Sequence, residues 1–233
     1  MLNCVAIIPA RAGSKRIPKK NIKEFHGLPL IAYSIKVAIK SKLFSKVIVS
    51  TDDEEIAKIA IEYGADIPFI RPKELSDDFI GTGEVINHAI EFLKTQGEKI
   101  DFICTIYATA PFLQEKYLME GFEKLKNSNA KNAFSCTSMP FPIQRTFKIT
   151  ENERCEMFWK ENFLKRSQDF EEAYQDAGQF YWTNLNIVSN DIIFGKDSIP
   201  IILPRYLVQD IDTLEDWERA EYMYEAIKRS KKI

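Results

Sequence analysis

Apolar positions recur in two alternating rhythms along the first 140 residues. Val5-Ala6-Ile7-Ile8 is a short unbroken apolar run and reads as a buried strand, and Lys46-Val47-Ile48-Val49-Ser50 reads the same way. A helix is expected from about Leu30 to Lys40. Another follows from Asp53, where Ile56, Ile59, Ala60 and Tyr63 fall at helical spacing, acids occupy the first turn and Gly64 closes the end. Ile67-Pro68-Phe69-Ile70 reads as a short strand. Val85, Ile86, Ala89, Ile90 and Leu93 mark a helix that stops near Gly97. Asp101 to Tyr107 is a strand, a helix carrying Leu118, Met119, Phe122 and Leu125 follows Gln114, and Ala133 to Thr137 is strand-like. Strands alternating with helices predict parallel βαβ units, hence an α/β fold with a mostly parallel sheet between helical layers.

The rhythm changes at Met139-Pro140-Phe141-Pro142. From there to about Gln175 the chain is polar, with isolated aromatics at Phe147, Phe158, Trp159, Phe163 and Phe170, and cannot build a large core by itself. Residues 140–175 therefore read as an arm inserted into a main domain of residues 1–139 and 176–233. The arm acts as a lid or packs on a second subunit. Gln179-Phe180-Tyr181-Trp182 and Ile199-Pro200-Ile201-Ile202-Leu203 return to strand. Thr213-Leu214-Glu215-Asp216 opens a last helix with a variant capping box. That helix is expected to turn Leu214, Trp217, Ala220, Tyr224 and Ile227 inward, with Lys228, Arg229, Lys231 and Lys232 at its tail.

Composition narrows the classes. Of 233 residues, 45% are hydrophobic and 28% charged, which excludes disordered and low-complexity chains. A net charge of −2 leaves no bulk positive field for nucleic acid, so an anionic ligand must be held by a few placed cations. No run approaches the roughly 20 apolar residues of a membrane span. Cys4, Cys104, Cys136 and Cys155 are scattered without a CxxC pair, as expected for reduced thiols in a cytoplasmic protein. His26 and His88 are too few for a histidine metal site.

Two segments carry chemistry. Pro9-Ala10-Arg11-Ala12-Gly13-Ser14-Lys15-Arg16-Ile17-Pro18-Lys19-Lys20-Asn21 leaves the carboxyl end of the first strand, where open α/β sheets bind ligands. It joins five basic residues to a Gly-Ser pair. Glycine lets backbone N–H groups approach phosphate oxygens, Arg adds forked hydrogen bonds and Lys a point charge. It is neither a Walker A loop nor GxGxxG. Gln209-Asp210-Ile211-Asp212-Thr213 places two carboxylates on one side of an extended segment. Such a pair beside a polyphosphate suits Mg²⁺, which takes hard oxygen ligands and keeps several waters.

The basic loop, from Ile8 to Asn21, resembles the signature loop of the CMP-sugar synthetases, the acylneuraminate cytidylyltransferases and their relatives. Four more stretches match in order: Val49-Ser50-Thr51-Asp52, Arg71-Pro72-Lys73-Glu74-Leu75, Thr109-Ala110-Pro111 and Asp210-Ile211-Asp212-Thr213. Tyr107 to Phe112 and Asp176 to Trp182 look most like the pseudaminic acid cytidylyltransferase branch. Compared with the sialic acid branch, Tyr107 replaces a glutamine, Gln175 falls where a second arginine is expected, and Ala177-Gly178 replaces Asn-Gly.

The resemblance implies a Rossmann-like nucleotidyltransferase fold, usually a homodimer, with the arm covering or completing the neighbour's sugar site. It implies Mg²⁺-dependent transfer of CMP from CTP to the anomeric hydroxyl of a nine-carbon acidic sugar, releasing pyrophosphate. Arg11, Gly13, Ser14 and Lys20 would hold the phosphates, with Arg11, Lys20 and Asp212 central to catalysis. Asn21 and Arg71 would contact cytidine, and Thr82 the ribose or base. Arg166, Gln168, Gln175 and Tyr181 would meet the sugar, and Asp210 and Asp212 the metal. Two other readings stay open: a synthetase for sialic, legionaminic or ketodeoxyoctonic acid, and a GT-A-like glycosyltransferase or non-catalytic nucleotide-binding module.

Overall fold

The computed structural model of the chain describes residues 2–77 and 80–230. Its centre is a six-stranded sheet. In chain order its strands are β1 (Cys4–Pro9), β4 (Lys46–Ser50), β5 (Phe102–Ile106), β6 (Asn132–Ser138), β9 (Tyr174–Asn184) and β10 (Ser198–Ile202). Across the sheet the order is β10-β6-β9-β5-β1-β4. All run parallel except β9, which lies antiparallel between β5 and β6. A two-residue hairpin, β2 (Glu24–Phe25) with β3 (Leu28–Pro29), follows the basic loop.

Alternation within β1 splits the core. Val5 and Ile7 face α3 (Thr82–Thr95) through Ile86, Ala89, Ile90 and Leu93. Cys4, Ala6 and Ile8 face the opposite layer, built from α1 (Leu30–Ser41), α2 (Glu54–Glu62), α4 (Glu115–Lys126) and α5 (Leu214–Arg229). Fully burying each large apolar side chain in these layers contributes about 1.5–3 kcal/mol. Helices on both faces leave the carboxyl edge of the parallel strands open for a site.

The helix starts follow their expected chemistry. Asp53 caps α2, its Oδ1 accepting the Ile56 N–H at 2.8 Å. Thr213 and Asp216 form a reciprocal capping box at α5. Lys228 and Arg229 sit in the last turn of α5, whereas Lys231 and Lys232 lie outside the described residues.

Two expectations are corrected. Ile67 to Ile70 forms no strand; only an isolated bridge joins Ile48 to Asp66, because Pro68 has no N–H to make the next ladder bond to β4, and the chain bends at Phe69. Leu214 is 62% exposed, since as the first residue of α5 it precedes the stripe that Trp217, Ala220 and Ile227 bury.

The arm leaves the sheet after Ser138 and re-enters at Tyr174. It contains a small hairpin, β7 (Phe147–Ile149) with β8 (Cys155–Met157), and three short 3-10 turns. Cys4, Cys104 and Cys136 are buried in strands, Cys155 is exposed, and all four are free thiols. No helix among the described residues is long and apolar enough to cross a membrane.

Candidate functional site

The basic loop is held open by three anchors. Ile17 inserts into the core at 1% exposure. Asn21 is buried and its Nδ2 donates to the Arg11 carbonyl at 3.0 Å. Asp52, just beyond β4, accepts the Ala12 N–H on its Oδ1 at 3.1 Å. Lys19 takes φ 52° as the loop enters its closing 3-10 turn, Lys20–Ile22. A Cβ built on Gly13 meets no atom of the chain, so the backbone there faces open space that an anion can approach.

This loop forms one wall of a cleft of about 630 Å³ at the carboxyl edge of the sheet. Arg11, Ser14, Lys20, Asn21, Arg71 and Thr82 line it, and Asp210 and Asp212 close the far side. The Lys20 ammonium donates to the Ile211 carbonyl at 2.5 Å and to Asp212 Oδ1 at 3.1 Å. Arg16 reaches Asp212 Oδ2 at 2.8 Å. The two ends of the chain thus meet across one cavity.

Asp212 is held rigidly. Its N–H and that of Thr213 both donate to Asp216 Oδ2, at 3.1 and 2.8 Å, so the capping box also fixes the carboxylate loop. Burial raises the Asp210 carboxyl above its ordinary value, and the adjacent Asp212 adds to the rise. Two hard carboxylates that repel each other beside a cleft lined by cations form a donor set able to take a divalent cation. Among the described residues no group of three or more His, Cys, Asp or Glu side chains forms a closed cage. An open pair leaves room for water and phosphate oxygens.

At the other end of the cleft Arg71 is buried at 3% exposure. Its Nε donates to Ser76 Oγ at 3.1 Å and its Nη2 reaches Asp52 Oδ1 at 3.5 Å. Burial lowers its pKa, and Asp52 opposes that shift. Arg11 donates from Nη1 to the Asp77 carbonyl at 3.0 Å.

The four sugar-side candidates lie elsewhere within the single chain. Arg166 and Gln168 sit on the arm, exposed, with Arg166 forked onto Asp169 at 2.9 and 3.0 Å. Gln175 is exposed at the start of β9 opposite Thr137. Tyr181 is 9% exposed, and its ring contacts Tyr107, which does line the cleft.

Sequence reasoning assigned no role to Arg16, Asp52 or Gln179. Gln179 is buried and donates from Nε2 to the Leu207 carbonyl, tying β9 to the stretch before Asp210. Asp52 stood within a matched motif, and that was its one signal.

Comparisons with known proteins agree with this geometry. A family model described as cytidylyltransferase matches residues 5–225. The pseudaminic acid cytidylyltransferase of Campylobacter jejuni is 46% identical over 221 residues, covering 94% of this chain and 95% of that protein. The CMP-N,N'-diacetyllegionaminic acid synthase of Legionella pneumophila is 30% identical, with 96% and 97% covered. In solved structures, the fold is shared with a CMP:2-keto-3-deoxy-manno-octonic acid synthetase complexed with CTP, at TM-score 0.68 and 14% identity over 96% of this chain and 99% of that one. With its sheet order, its cleft and matches spanning nearly the whole length, this chain belongs to the cytidylyltransferase family.

Proposed function

We propose that the chain transfers CMP from CTP to the anomeric hydroxyl of pseudaminic acid, releasing pyrophosphate. The observation that supports this most is the meeting of Lys20 with Asp212 in one cleft, in a chain 46% identical to a pseudaminic acid cytidylyltransferase. Arg11, Gly13, Ser14 and Lys20 bind the triphosphate. Asn21, Arg71 and Thr82 hold the nucleoside end. The sugar hydroxyl attacks the α-phosphorus; the new P–O bond forms as the bond to the β-phosphate oxygen breaks and the hydroxyl proton is released. Lys20, Arg11 and the loop amides stabilise the charge on the α-phosphate and on departing pyrophosphate. Asp210 and Asp212 are the ligands for Mg²⁺, which when bound neutralises phosphate charge.

The sugar end is built with the arm. Arg166 meets the sugar carboxylate as a guanidinium fork, and Gln168, Gln175 and Tyr181 complete that pocket. The arm exposes Phe141, Phe147, Ile149, Phe163 and Leu164, a concentration of apolar surface that suits packing on a second copy. A homodimer sharing its sugar sites follows, and the four free thiols suit a cytoplasmic setting.

A panel of CTP, UTP and ATP against pseudaminic, legionaminic, sialic and ketodeoxyoctonic acids, read by pyrophosphate release, tests the reading. CTP with pseudaminic acid is expected to give the highest kcat/KM. A higher value with another acid would replace the substrate, and release with none would remove the activity.

A further inference from the structure

The ladder between β9 and β6 breaks at one place. Phe134 faces Tyr181 and Cys136 faces Asp176, so two steps along β6 are matched by five along β9. The surplus includes Gly178, whose φ of 60° suits glycine. Because β9 runs against its neighbours, its first residues lie at the carboxyl edge of the parallel strands, the edge that carries the cleft.

Bulges beside active sites re-aim side chains. Here Asp176 is turned back along its own strand. Its Oδ1 accepts the Gly178 N–H at 3.0 Å and its Oδ2 accepts the Tyr181 hydroxyl at 2.5 Å. The Tyr181 ring lies 5.3 Å from that of Tyr107, tilted by 50°. Burial, with the Tyr107 phenol and Asp176 beside it, pushes the Tyr181 phenol above its usual value, so it stays a hydrogen-bond donor. Tyr107 is fixed through its backbone: its N–H donates to the Gln179 carbonyl at 2.9 Å and its carbonyl accepts from Ser34 Oγ at 2.7 Å.

Position says what this assembly faces. Arg71 is tied through its N–H to the Thr51 carbonyl, just past β4, at 2.8 Å, and Tyr107 follows β5 on the side toward β9, so the two cleft residues stand at different strands of the sheet. With the nucleoside at the Arg71 end, the acceptor sugar enters beside Tyr107. A buried phenol needs only one acceptor, and a main-chain carbonyl would serve. A carboxylate adds something more: negative charge on the side from which an acidic sugar arrives.

We propose that Asp176 is a positioning residue for the acceptor sugar. Through Tyr181 it sets the Tyr107 face on which the sugar rests, and its charge turns the sugar carboxylate away, leaving the neutral hydroxyl and acylamido face toward the tyrosines. This rests on the proposed cytidylyl transfer to an acidic sugar.

The test is steady-state kinetics on the full chain with CTP and pseudaminic acid. Asp176→Asn keeps an acceptor for Tyr181 and removes only the charge, while Tyr181→Phe keeps the charge and removes the contact. Each should raise KM for the sugar at least tenfold, leave KM for CTP within twofold and leave the melting temperature unchanged. The double variant should fall short of the product of the two effects. Unchanged sugar KM in both variants, or a CTP KM rising in step, would overturn the inference while the wild type stays active. A wild type that releases no pyrophosphate with any of the acids would overturn the functional reading, and this inference with it.

Discussion

Lys20 and Asp212 stand 192 positions apart in the chain, yet the lysine ammonium lies 3.1 Å from the aspartate Oδ1. The contact joins the loop after the first strand to the loop before the last helix. Asp212→Asn should keep the fold, because the capping box is built by Thr213 and Asp216. Turnover should fall by about a hundredfold or more, the usual cost of removing one charge-stabilising group. Pyrophosphate release with circular dichroism decides this; unchanged turnover would separate Asp212 from the chemistry.

Asp52 serves two anionic-ligand elements at once, accepting from the Ala12 N–H and from Arg71. Asp52→Ala leaves a buried guanidinium without its carboxylate and frees the loop. A loss of about 1–3 kcal/mol in stability is expected, together with a KM for CTP raised more than that for the sugar. Chemical denaturation and initial rates measure both.

Asp210 predicts a stability cost at the site. Its folded value is raised by burial and by Asp212, so the folded chain binds that proton more tightly than the unfolded chain does. The ionised carboxylate therefore opposes folding above its folded value, and the penalty disappears below the unfolded value of about 3.9. In metal-free protein Asp210→Asn should melt higher than wild type at neutral pH, with the gain vanishing in acid, while activity is lost. Melting scans with a chelator across this range test the sign.

Gly121 sits in α4 against the sheet. A Cβ there would lie 3.0 Å from Trp182 Cδ1 and 3.1 Å from Phe180 Cε2. Both rings are fully buried, and Trp182 is pinned by its Nε1 donating to the Leu118 carbonyl at 3.1 Å. Gly121→Ala should destabilise by roughly 1–3 kcal/mol through overpacking, despite the gain in helix propensity of about 1 kcal/mol. An increase in denaturation midpoint would show that the rings give way.

The strands β1, β4 and β5 were legible because buried parallel strands are nearly continuous apolar runs. Ile67 to Ile70 is also apolar and begins beside the free edge of β4 through the Asp66 bridge, but Pro68 has no N–H to continue that ladder, and this signal was there to be read. The reversal of β9 was invisible, a non-local fact that no window reveals. At the site, the basic loop and the two aspartates announced themselves by residue type. Their approach to each other was legible only through the family resemblance. Arg16 was one of the loop's five cations with nothing to single it out, and Asp176 opened a stretch matched to one branch of the family without a role of its own, because its contact with Tyr181 depends on a break in the ladder.

The reversed strand has one further consequence. Ser138 ends β6 and is paired with Tyr174 at the start of β9, and the Met139 N–H donates to the Ala173 carbonyl at 2.8 Å. The whole excursion between them is topologically the loop of a long hairpin, with a closed neck. Lengthening such a loop costs little, since closure entropy grows only with the logarithm of its length. On the proposed role of the arm in the sugar site, changes of length or sequence in that segment would alter the range of acids accepted while the cleft that carries Lys20 and Asp212 keeps its geometry.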